Sequence, residues 1–247
     1  MITSRQNEFI KKIRSLSDKK NRDKLSLFIV EGKKAVKEAV LFGCGFFAVI
    51  GTEKALKELG ELDNIRIEEV SDSVFESVSF DKAPQGVMAI IHKPNISLSS
   101  PKGNCLLLDG VSDPKNVGAI IRSAVAAGYN DVYLTDDCAD AFSPKSVRSS
   151  MTGIFRVNIH YGKREELLSI IDKPLIIADM GGENVFATKD MGKICLVIGN
   201  EGNGVSQIIK DKASHIVSIP MLSGMESLNA SVSAGILMYM LNKEIHE

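Results

Sequence analysis

Two apolar runs late in the chain, Ile194–Ile198 and Ile216–Pro220, break into polar loops that hold much of its chemistry-bearing side chains. The first loop is Gly199-Asn200-Glu201-Gly202-Asn203-Gly204-Val205-Ser206; the second runs from Pro220 to Asn229. The first is Gly-rich, but it lacks the Lys-Ser/Thr ending of a P-loop and the G-x-G-x-x-G order of a dinucleotide site. Glu201 would also repel phosphate, so a neutral or cationic ligand suits this loop better. Glu226, Ser227 and Asn229 offer hydrogen-bonding groups to such a ligand, although Gly and Asn also make plain turns and Asn229 and Ser231 also suit ordinary helix capping. A third polar stretch, Gly110 to Asn116, follows Leu106-Leu107-Leu108-Asp109 and opens a helix. Asn116 is placed to cap that helix at Val117, and Lys115 and Arg122, in its second turn, set cationic donors near the loop. An arginine on a helix of an α/β protein ordinarily faces solvent.

Strand and helix signals alternate along the chain, the pattern of an α/β protein. Residues 1–95 read as a small α/β module. The Pro-, Ser- and Gly-rich stretch Lys93–Asn104 marks a boundary, with a linker at 96–103. Residues 104–247 resume the alternation as a largely parallel sheet covered on both faces, where ligands bind beyond the carboxyl ends of strands. After Asn229, the small residues Ala230, Ser231, Ser233, Ala234 and Gly235 give the last helix a thin surface for close packing.

The 247 residues are 44% hydrophobic with a net charge of -1, enough for ordinary cores but no overall field to draw the chain to nucleic acid. Charge is uneven, however: Met1 to Lys24 holds eight Lys/Arg against three Asp/Glu. Arg5, Lys11, Lys12, Arg14, Lys19, Lys20 and Arg22, with Lys115, are therefore candidate contacts for RNA phosphates, the alternative being a solvated helix face and loop. Four scattered cysteines and four scattered histidines suggest reduced thiols and no metal site. With no secretory signal pattern and no apolar run of about 18 residues, a cytoplasmic protein is expected.

Three stretches taken together, Asp109–Arg122, Val197–Gly204 and Ile219–Ser233, resemble the SpoU (TrmH-type) RNA ribose methyltransferases of the SPOUT superfamily. The resemblance covers Cys105 to Leu241, and the preceding module is similar in layout to the family's substrate-binding domain. It implies a C-terminal α/β knot with a mainly parallel sheet and a homodimer formed through that domain. It also implies transfer of the S-adenosyl-L-methionine methyl group to a ribose 2′-hydroxyl, with rRNA favoured over tRNA as substrate. By the same resemblance, main-chain groups at Gly199, Ile219 and Leu228, with Asn200, Gly202 and Met221, bind the cofactor. Arg122 assists the hydroxyl, Asn116 positions substrate or the arginine, and Glu201, Ser227 and Asn229 complete the catalytic set. Because an arginine stays protonated below about pH 12, Arg122 suits electrostatic stabilisation better than proton abstraction. Base methylation and a non-catalytic RNA-binding or ribosome-assembly role are the competing readings.

Overall fold

The spacing of Ile10, Ile13 and Leu16 builds the first helix and buries it: none is more than 1% exposed in this computed structural model, which describes residues 1–222 and 227–242. The elements of the N-terminal stretch are α1 (Glu8–Ser15), α2 (Lys19–Leu25), β1 (Leu27–Glu31), α3 (Lys33–Leu41), β2 (Phe46–Gly51), α4 (Glu53–Leu59), β3 (Ile67–Glu69), α5 (Asp72–Glu76) and β4 (Val87–His92). There follow β5 (Cys105–Asp109), α6 (Pro114–Ala126), β6 (Asp131–Thr135), α7 (Pro144–Ser150), β7 (Asn158–Gly162), α8 (Arg164–Ile170), β8 (Leu175–Asn184), β9 (Cys195–Gly199), α9 (Gln207–Lys210), β10 (His215–Ser218) and α10 (Ala230–Leu241). They form two compact units, Met1–Asn95 with Phe142–Phe155, and Ile96–Ala141 with Arg156–Glu247. Among the described residues no helix is long and apolar enough to cross a membrane.

The first unit is a four-stranded sheet in the order β1-β4-β2-β3, with β2 and β3 parallel and the other pairs antiparallel. Its core joins α1 to Leu27, Ile29, Ile50, Phe75, Met88 and Ile90. The segment around α7, which the sequence reading leaves in the C-terminal domain, packs with this unit. The Phe142 ring lies 5.1 Å from that of Phe28, and Arg148 donates to Asp81 at 2.5 Å.

Helix α2 occupies part of what reads from sequence as a loop; Asp18 caps it by accepting from the Lys20 N–H. Arg22, expected among the RNA contacts, is 3% exposed and is corrected to a structural role. Its Nη1 donates to the carbonyls of Leu16 and Ser17 at 2.7 and 2.8 Å, satisfying the end of α1. Other members of the basic cluster are also engaged: Arg14 donates to Ser77, Arg5 to the Ser73 carbonyl, Lys11 pairs with Glu8 and Lys12 lies over the Phe47 ring. Arg5, Lys11, Lys19 and Lys20 remain exposed.

The second unit is a six-stranded, wholly parallel sheet in the order β10-β8-β9-β5-β6-β7. Strands β5 and β6 are buried along their whole length, as expected with helices on both faces. The chain steps outward from β5 to β7, then returns to build β8 to β10 beyond the other side of β5. This reversal lies between β5 and β9, where a parallel sheet opens a crevice at its carboxyl edge. Strand β8 outruns the Pro174–Ala178 segment recognised from sequence because of a detour. Ile216 of β10 pairs with Ile177, but Val217 pairs with Glu183, so 178–182 swing out of register. Gly182 makes the return possible: a Cβ there would lie 2.6 Å from the backbone of Ile216 and Val217.

Arg22→Met should leave two carbonyls at the end of α1 without their charged donor and cost roughly 1.5–3 kcal/mol. Urea denaturation checks this, with Lys20→Met as an exposed control expected to stay within about 0.5 kcal/mol of wild type.

Candidate active site

At the carboxyl end of β9 the chain turns back tightly on itself. Asn200 and Gly204 exchange two backbone hydrogen bonds, at 3.0 and 2.9 Å. The Asn200 Oδ1 accepts from the Gly202 and Asn203 amides, while its Nδ2 donates to the Gly110 carbonyl at 2.7 Å, tying this loop to the one after β5. Only glycine fits at 199, since a Cβ there would overlap the backbone of Gly204 and Val205.

Glu201 reaches from this loop to the start of α6. Its Oε2 accepts from the Ser112 N–H and Oγ at 3.1 and 3.0 Å, and its Oε1 accepts from the Asp113 N–H at 3.3 Å and Asn116 Nδ2 at 2.8 Å. A carboxylate at a helix N-terminus also meets the positive end of the helix dipole. Partial burial works to raise the Glu201 carboxyl, but donation from Asn116 and Ser112 outweighs it and holds the pKa at about 2.

The sequence reading put the start of α6 too late. Asp113 is the N-cap, accepting from the Lys115 N–H, and Pro114 opens the helix. Asn116 therefore lies inside the first turn, buried to 7% exposure, and Arg122 lies in the third turn. The Asn116 Oδ1 accepts from Asn229 Nδ2 at 3.0 Å. Asn229 is at once a cap and a member of this site, since its Oδ1 accepts from the Ser231 N–H and Oγ. Helices α6 and α10 run side by side in the same direction. Asn116 meets Asn229 at their starts, while Tyr239 and Asn242 donate to the Ala126 and Ala127 carbonyls at their ends.

Beside this network is a cavity of about 440 Å³. Its walls include Gly199, Asn200, Glu201, Ile219, Met221, Ser227, Leu228 and Asn229, so eight of the expected site positions share one space. Gly202 lies in the loop without lining it, Asn116 sits behind Glu201 and Asn229, and Glu226 falls outside the described residues. Arg122 is exposed on α6 and does not line the cavity of its own chain; Lys115 is exposed at the start of the same helix.

Sequence reasoning missed the wall supplied by the β8 detour, Ala178, Asp179 and Met180. Asp179 Oδ2 accepts from Lys210 Nζ at 2.7 Å, and that contact chiefly holds its carboxyl below the usual range. The supporting cluster under the loops was also missed. Asp109, 1% exposed at the end of β5, accepts from Arg164 Nε at 2.7 Å and the Ser206 N–H at 2.6 Å. Arg164 Nη2 reaches Asp137 at 2.7 Å, linking the ends of β5 and β6 and the loop after β9. A charged residue closing an otherwise apolar strand was the available signal for Asp109.

The donor set fits S-adenosyl-L-methionine. Ile198, Ile219, Leu228 and Leu237 offer apolar cover for a flat ring, and the Glu201 carboxylate, held by neutral donors, keeps its negative charge at the wall, whereas the Asp179 charge is met by Lys210.

Residues 103–239 match the SpoU rRNA Methylase family, and residues 7–89 match the MRM3-like substrate binding domain. The chain is 32% identical to the 23S rRNA (guanosine(2553)-2'-O)-methyltransferase RlmP of Bacillus subtilis, over 97% of this chain and 98% of that one. An AdoMet-bound rRNA methyltransferase from Sinorhizobium meliloti superposes with a TM-score of 0.88 at 25% identity, covering 99% of this chain and 97% of that one. The SpoU methyltransferase AviRb from Streptomyces viridochromogenes, in complex with AdoMet, gives 0.86 at 25% identity, covering 97% and 99%. With the parallel sheet, the shared cavity and a match across more than half its length, the chain belongs to the SpoU rRNA methylase family.

Proposed function

We propose that this protein is an S-adenosyl-L-methionine-dependent RNA methyltransferase acting on a ribose 2′-hydroxyl of 23S-type rRNA, in the cytoplasm. The observation that carries this reading is the convergence of the loop after β9, the segment after β10 and the start of α10 on one cavity. The relatives named as 23S rRNA 2′-O-methyltransferases support the substrate class.

When bound, S-adenosyl-L-methionine supplies a methyl group already activated by its sulfonium. The chain's task is then alignment and charge stabilisation. Gly199, Ile219 and Leu228 hold the cofactor by main-chain groups, with Asn200, Met221 and the loop around Gly202 shaping the pocket. Glu201 fixes the first turn of α6 through Ser112, Asp113 and Asn116, and Asn116 fixes the start of α10 through Asn229. Ser227 and Asn229, in the wall of the same cavity, complete the polar set beside the acceptor. The methyl group would go to the ribose O2′, whose proton would pass to water.

Arg122 enters from a second copy. It is exposed and absent from its own chain's cavity, while Val232 and Tyr239 of α10 are 50% and 40% exposed, an apolar face suited to a homodimer. Its guanidinium stabilises negative charge growing on O2′. The C-terminal segment threads through a loop to form an α/β knot, a reading supported by α10 lying against α6. The functional domains are 1–95, with the 142–155 segment that packs on it, for RNA binding and the rest of 104–247 for methyl transfer, joined at 96–103. Lys115 and the exposed Arg5, Lys11, Lys19 and Lys20 meet phosphates, together with the more enclosed Lys12 and Arg14.

Labelled methyl transfer into total RNA from cells lacking the enzyme, followed by mapping, is expected to place a 2′-O-methyl group in 23S rRNA; label on a base or in tRNA would overturn the reading. Arg122→Ala should lower methyl transfer by about 10²-fold or more with cofactor affinity, read by calorimetry, nearly unchanged. Mixing inactive Arg122→Ala and Asn116→Ala subunits should restore activity if Arg122 acts across the dimer. The ordinary carboxyl pKa of 4.5 against about 2 for Glu201 sets the pH dependence. Its contribution to stability is full above the unfolded value, declines as pH falls below it and is lost through the folded value. The stability gap between wild type and Glu201→Gln, measured by denaturation, should therefore be constant near neutrality and shrink in acid.

A further inference from the structure

A second cavity, of about 320 Å³, lies in the first unit, where the end of β1, the start of α3 and the α7 segment meet. This is the small end of the range for ligand pockets, roughly 300–1,000 Å³. Its floor is buried apolar residues, Ile29, Val30 and Val147. Its mouth is apolar yet open: Phe80 is 38% exposed and Met151 is 55% exposed, with Phe155 beside them.

Three features make it a prepared surface for a flat, polar-edged group. The Arg148 guanidinium is held by Asp81, so a planar cation is fixed at the rim. The Gln85 Oε1 accepts from the Lys33 N–H, which orients the amide and leaves Nε2 as a donor without an acceptor among the described residues. Met151 and Thr152 occupy consecutive left-handed conformations, φ 49° and 74°, which is strained for a β-branched threonine. The Thr152 hydroxyl, bonded to Glu38, holds that turn and with it Met151 at the mouth.

The carboxylates around the cavity have partners: Glu31 accepts from the Ser79 hydroxyl and the Phe80 N–H, Asp81 from Arg148, and Glu38 lies 3.9 Å from the Lys34 ammonium, whose side chain is still 80% exposed at the rim. Unpaired RNA bases are recognised by stacking on aromatic and guanidinium planes, with their edges hydrogen-bonded and phosphates met by lysine. We propose that this cavity receives one unpaired nucleobase of the RNA substrate, stacked against Phe80 and Arg148, with the neighbouring phosphate on Lys34. The proposal rests on the reading of the substrate as RNA.

The test uses the full-length enzyme and an unmodified 23S rRNA transcript carrying 4-thiouridine. Photo-crosslinking should yield RNA-linked peptides containing Phe80 or Met151. Phe80→Ala, which removes a wall, and Ala35→Phe, which fills the cavity from α3, should each raise KM for the transcript about tenfold, with kcat moving far less. Cofactor affinity and melting temperature should hold. Wild-type crosslinks that avoid both peptides, or folded variants with unchanged KM, would overturn the proposal. A cavity that instead takes a ribosomal protein's side chain would give unchanged KM on naked transcript and a defect only on ribosomal particles, and that pattern also overturns it. Crosslinking requires no methyl transfer: an enzyme linked through these peptides yet methylating a base would support the cavity and refute the ribose reading alone.

Discussion

The Asn116 side-chain amide uses both its ends, donating to Glu201 and accepting from Asn229. These partners are 85 and 113 positions away along the chain, so no local preference brings them together. The sheet does so, by setting β9 beside β5 and sending the last helix back along α6. Once there, the amide fixes relative position with directional bonds, which apolar packing alone would leave looser. Each partner is itself pinned, Glu201 by Ser112 and Asp113 and Asn229 by Ser231, so the alignment is built from the chain's own hydrogen bonds.

Beneath this network lies a second layer of charge. Asp109 is buried at a strand end, and its oxygens are taken by Arg164 and the Ser206 amide. A buried carboxylate without such partners would be costly. The arrangement turns that cost into a constraint on loop position, because β5 must end where Arg164 can reach it. Gly199 acts in the same place by a different means, its missing Cβ letting the polypeptide fold back within van der Waals distance.

Much of the architecture was legible because burial leaves a periodic trace. The apolar runs of β5, β6 and β9 and the spacing of Ile10, Ile13 and Leu16 mark their elements within a residue or two. Short helices left weaker traces: α2 and α9 have seven and four residues, too few to set a period. The start of α6 was misplaced because Asp113-Pro114 and Asn116 offer rival caps, and the Pro at the first helical position was the better guide. The three-part motif led to eight positions that line one cavity, whereas Asp179 and Arg164 matter only through contacts that tertiary folding creates. Arg22 shows the opposite failure, a cation read as surface whose charge serves carbonyls inside.

The side-by-side course of α6 and α10 has a consequence for the newborn protein. A nascent polypeptide that has emerged through the loop after β9 already holds Glu201 and Asn116, but half of the Asn116 amide still waits for Asn229. The pocket beside it is thus closed only once Asn229 and α10 have been made, with the join sealed where Tyr239 and Asn242 dock at the far end of α6. A chain that stops short of α10 would carry an open pocket, so the Asn116 network can close only after α10 is made.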